Sequence, residues 1–93
     1  MSTPSISVTP SPATAGGTIE VCYDFTGSTV DTVQLQVEFD LLGGGTEQKT
    51  ISLSKTDNCE TVDVPSNATS GTVDDLSGQA NPDGFAVKDP AGS

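Results

Sequence analysis

Residues 17–25, GTIEVCYDF, alternate between apolar and polar side chains without a break. Successive side chains of an extended chain point to opposite faces, so Ile19, Val21, Tyr23 and Phe25 line one face and Thr18, Glu20, Cys22 and Asp24 the other. The pattern predicts a strand with one face on a core, ended by a turn at Gly27-Ser28.

Working outward, the pattern recurs. TVQLQVEFDL, residues 32–41, turns Val33, Leu35, Val37, Phe39 and Leu41 inward and ends at the glycine triplet 43–45. KTISLS places Ile51 and Leu53 on one face. After the turn-forming run 55–58, CETVDVP does the same with Val62 and Val64. SGTVDDL and GFAVKD follow, joined by the turn-rich SGQANPDG. Ser5-Ile6-Ser7-Val8-Thr9 is a short alternating piece between prolines, as suits an edge strand. About seven short strands, with no helical stripe among them, predict an all-β sandwich.

Composition narrows the function. A chain of 93 residues supports one domain with a modest core. Three Lys/Arg against thirteen Asp/Glu give a net charge of −10, which leaves no basic patch for phosphates and excludes nucleic-acid binding. No segment reaches the apolar length of a membrane span, so membrane insertion is not expected. The opening MSTPSISVTPSP has neither a charged start nor an apolar centre, and no signal peptide is expected there.

The chain has no histidine, which rules out Ser–His–Asp and Cys–His chemistry, and its two cysteines cannot make a four-cysteine metal site. Asp74 and Asp75 are adjacent on a strand and point to opposite faces, a poor geometry for an acid–base dyad. The expectation is a protein that is not an enzyme. The one cofactor candidate is calcium, with Asp74, Asp75, Asn81 and Asp83, and Asp89 beyond them, as candidate ligands around the final hairpin. Their spacing matches no EF-hand pattern, and Asp and Asn are also ordinary turn formers. Asn67-Ala68-Thr69 has the form of a glycosylation sequon and is read as incidental.

Cys22 shares the polar face of its strand with Thr18, Glu20 and Asp24, and Cys59 has the parity of Thr61 and Asp63. Both sulfurs are therefore expected to face outward, either bonded to each other or as separate thiols.

Beyond its strands, the chain resembles the bacterial and phage immunoglobulin-like domains. The resemblance rests on the lead-in Pro12, Ala13 and Gly16-Gly17; on the step Val64-Pro65 with Ala68; and on the corner Asp75, Ser77 and Gly78 with Val87 closing the last strand. It spans roughly residues 5–89 and implies an immunoglobulin-like antiparallel β-sandwich, with 17–89 as the sandwich, 1–16 as a proline-rich arm with a possible edge strand and 90–93 as a tail. In such a sandwich the second and fifth strands are neighbours, which implies a Cys22–Cys59 bond across the outside of one sheet.

The resemblance also implies a non-catalytic structural protein. The leading expectation is a phage virion surface protein, a capsid decoration or fibre-type component. The alternative is an adhesion or spacer module of a bacterial surface protein. The expected partner is a capsid or other virion protein, or a second copy of the chain, met at the virion surface or outside the cell. Residues 2–12, with Pro4, Ile6, Val8, Pro10 and Pro12, are expected to act as a stiff docking arm.

Overall fold

A computed structural model describes residues 2–91. Met1 of the expected arm and residues 92 and 93 of the expected tail lie outside it. Among the described residues there are eight strands and no helix, so no helix is long and apolar enough to cross a membrane. The strands are β1 (Ser5–Thr9), β2 (Ala13–Thr14), β3 (Thr18–Asp24), β4 (Thr32–Leu41), β5 (Thr46–Ser54), β6 (Cys59–Asp63), β7 (Ala68–Asp75) and β8 (Asp83–Lys88). They form a three-stranded sheet, β1-β3-β6, and a five-stranded sheet, β2-β8-β7-β4-β5.

The inner faces follow the predicted alternation. Ile19, Val21 and Tyr23 from β3, with Val62 from β6, meet Leu35, Val37 and Phe39 from β4 and Val73 from β7 in one buried core. Phe25 and Leu41, at strand ends, are only partly covered. Gly71 of β7 has a structural reason to be glycine: the Phe85 ring from the neighbouring strand lies where a Cβ would stand. That ring meets Phe39 edge to face, with centroids 5.9 Å apart, a favoured aromatic arrangement.

The expected N-terminal edge strand is present, and the expected wholly antiparallel topology is corrected. Within the arm expected over residues 1–16, β1 is an edge strand that pairs antiparallel with β3; Pro4 and Val8 are buried and Ile6 is half-buried, while Pro10 and Pro12 are exposed. The connection through Pro10 and Pro12 then carries the chain to the other sheet, where Ala13 is fully buried. There β2 runs parallel to β8, so the sandwich is not wholly antiparallel and has eight strands in place of seven. The physical cause is proline, which cannot continue a ladder and so ends β1 after five residues.

The molecule is elongated, with extents of 45 × 20 × 19 Å. Ser2 lies against Gly27 at the end of β3, whose backbone sits at φ +84°, a conformation open to glycine. Ala91 donates its N–H to the Ser66 carbonyl, in the loop that leads from β6 to β7. Strand directions put these two loops at opposite ends of the sandwich, so the chain enters at one end and leaves at the other.

Candidate functional site

Three places carry polar chemistry. The first is the outer face of the three-stranded sheet. Cys22 and Cys59 are direct partners in the β3–β6 register. Tyr23 donates its N–H to the Asn58 carbonyl at 2.8 Å, so the ladder bonds fall on that pair and Cys22/Cys59 take the non-bonded position beside it. Cα atoms come closest at such positions; here they are 4.1 Å apart and the two sulfurs are bonded. The disulfide is thus a staple within one sheet, on its polar face, as the parity of the two residues required. The Glu20 carboxylate stands beside both sulfurs, the one grouping of three potential metal-binding side chains among the described residues. With both sulfurs in a disulfide, only the carboxylate remains to bind an ion there.

The second place is inside, where the two sheets meet. Asp75, at the end of β7, is 3% exposed, and donors occupy both of its oxygens. Tyr23 Oη donates to Oδ2 at 2.7 Å and the Ala80 N–H to the same oxygen at 3.0 Å. The Ser77 N–H and Oγ donate to Oδ1 at 2.9 and 2.7 Å. A carboxylate has about four acceptor positions, so this one is saturated. Burial pushes the Asp75 carboxyl up, but hydrogen bonds from Ser77, Tyr23 and Ala80 outweigh it and hold it below its ordinary value. Burial first, then the bond to Asp75 and its negative charge, push the Tyr23 hydroxyl up to about 12. The pair joins β3 of one sheet to β7 of the other and shapes the turn after β7.

That arrangement removes Asp75 from the calcium candidates, because its lone pairs are already taken. The others do not converge: Asp74 is exposed on the opposite face, Asn81 is exposed in the turn and Asp83 is half-buried at the start of β8. Asp89 lies past the far end of β8, in the left-handed region at φ 59°. The sequence suggested a cluster because these residues are close along the chain, but a six-residue strand carries Asp83 and Asp89 to opposite ends.

The third place is the outer face of the five-stranded sheet. Gln36, Glu38, Thr72, Asp74 and Pro82 line a shallow open depression there. Gln48 of β5 donates to Glu38 at 2.6 Å and accepts from Gln36 at 3.4 Å. Among the described residues, those that line the depression are acidic, amide, hydroxyl or proline side chains, and none of them is cationic. Sequence reading missed the Tyr23–Asp75 contact, although Asp75 has the inward parity of Val73. A buried carboxylate requires donors, and that signal was present.

No protein-family model, curated protein or solved structure matches the chain.

Proposed function

We propose that this protein is a non-catalytic, immunoglobulin-like module of a surface assembly, acting as a rigid strut. Pairing of β3 with β6 in one sheet, and of β4, β7 and β8 in the other, supports the immunoglobulin-like reading. So does a first strand divided between the sheets as β1 and β2. The observation that carries the strut is the axial course of the chain, entering at one end of a 45 Å body and leaving at the other. A staple across one sheet and a buried carboxylate corner between the two resist deformation without adding chemistry. The disulfide suits an oxidising setting outside the cell, and the net charge of −10 keeps the surface solvated.

Two settings remain, a spacer or adhesion module of a bacterial surface protein and a decoration protein on a phage virion. The axial course favours the spacer, because a module in series needs its two ends apart. Burial of Pro4 and Val8 also leaves fewer of residues 2–12 exposed for docking on a capsid.

Antibodies against the folded protein, applied to intact cells and to purified particles of its source, test the proposal. Labelling of intact cells supports the spacer and labelling of particles the virion role. Labelling only after lysis would overturn both.

A further inference from the structure

Strand β5 is the open side of the molecule. It pairs with β4 alone among the named strands, and its first five residues, Thr46-Glu47-Gln48-Lys49-Thr50, are all exposed. Every other edge is shortened or blunted. β2 has two residues, β1 is bounded by Pro4 and Pro10, and β6 carries Glu60 and Asp63 without a cation. Long unprotected edges pair with other strands unless their side chains forbid it.

The direction of the free backbone groups follows from the ladder. Leu41 donates its N–H to the Gly45 carbonyl, so the bonded pairs with β4 continue as Phe39/Glu47, Val37/Lys49 and Leu35/Ile51. The N–H and C=O groups of Thr46, Gln48 and Thr50 therefore point away from β4, to the outside.

We propose that a second copy of this chain pairs antiparallel with this edge along Thr46–Thr50, with Gln48 opposite Gln48 across a two-fold axis. In this register the outward groups of Thr46, Gln48 and Thr50 meet those of Thr50, Gln48 and Thr46 of the second copy, forming about six backbone hydrogen bonds. Glu47 then stands opposite Lys49 of the second copy, and Lys49 opposite its Glu47, both at non-bonded positions where side chains come closest.

The stretch is self-complementary in this register. A slip of two residues in one direction opposes Glu47 to Glu47, and in the other Lys49 to Lys49, so like charges reject the neighbouring registers. Charge also explains why this edge and not another carries the contact. The chain holds −10 overall, and two copies repel. Glu47 and Lys49 make the edge locally neutral, whereas Lys55, at the other end of β5, is already paired with Asp31 at 3.1 Å. The two five-stranded sheets would join into one continuous sheet, and the outer-face ladder Gln36–Gln48–Glu38 would meet its symmetry mate beside the axis. This contact is lateral and does not depend on the axial role proposed above.

Sedimentation equilibrium of the oxidised full chain, from micromolar to about millimolar concentration, tests the proposal. The expected result is reversible association to twice the chain mass of 9.4 kDa. Glu47→Lys and Lys49→Glu should each weaken association about tenfold, and the double exchange should restore it to within about threefold of the original. Gln48→Pro removes an outward N–H at an edge position where proline is tolerated, and should abolish association with the monomer still folded. A monomer throughout the range would overturn the proposal. So would association that both single charge variants retain at full strength, or a double exchange that fails to restore it.

Discussion

The two sheets are finished to different degrees. The three-stranded sheet is small, so a covalent staple ties β3 to β6 on its outside, proline bounds β1, and the Tyr23 hydroxyl anchors its inside to the opposite sheet. The five-stranded sheet is built around the ten-residue β4, paired on both sides, and carries no covalent tie. It ends in an open strand with both charge signs. A sheet too short to hold itself by area is held by bonds, while one with area to spare can leave an edge for another chain.

Removing the staple should have the largest effect on stability. Replacing both Cys22 and Cys59 by alanine opens a loop with sequence separation 37. The expected loss is about 4 kcal/mol on the chain-entropy estimate, a large share of a small domain's stability. Urea unfolding of the double variant measures it. A loss under about 1 kcal/mol would mean that the three-stranded sheet holds without its staple.

Asp75→Ala should come next, at about 3 kcal/mol, because it leaves the Tyr23 hydroxyl and the Ala80 N–H buried without an acceptor. Tyr23→Phe should cost less, about 1–2 kcal/mol, since Ser77 and Ala80 still satisfy the carboxylate. Thermal melts of the two variants rank them. Equal losses would mean that the hydroxyl alone carries the corner.

The smallest effect is in pH dependence. Asp75 has a lowered carboxyl value in the folded state, so its contribution is present above the unfolded value of about 4 and is lost as pH falls through the folded one. Tyr23 has a raised value, about 12 against 10, so its contribution is present below pH 10 and fades as pH rises from 10 to 12. Melting midpoints should fall at both limits. The alkaline fall should shrink in Tyr23→Phe, and an unchanged alkaline limb would remove Tyr23 as its source.

The sequence was most legible where parity alone decides. Alternation in β3, β4 and β6 placed the core residues, and the same parity turned Cys22 and Cys59 outward, where the staple lies. It also separated Asp74 from Asp75. Contacts that depend on the third dimension were not legible. Tyr23 and Asp75 are 52 residues apart, and tyrosine on an apolar face reads as packing until its hydroxyl finds a partner. The division of the first strand was hidden because β2 is only two residues long and has no pattern of its own. The exposed half of β5 was likewise missed, since residues beyond the core edge carry no apolar signal.

The proposed surface module works outside a reducing compartment, so the state of its two cysteines should be read in protein taken directly from its source. The protein would be alkylated without reduction, then digested, and its mass read. Neither Cys22 nor Cys59 should be labelled, and one peptide pair should be joined through both. Label on both cysteines would place the working protein in a reducing environment and contradict the surface role.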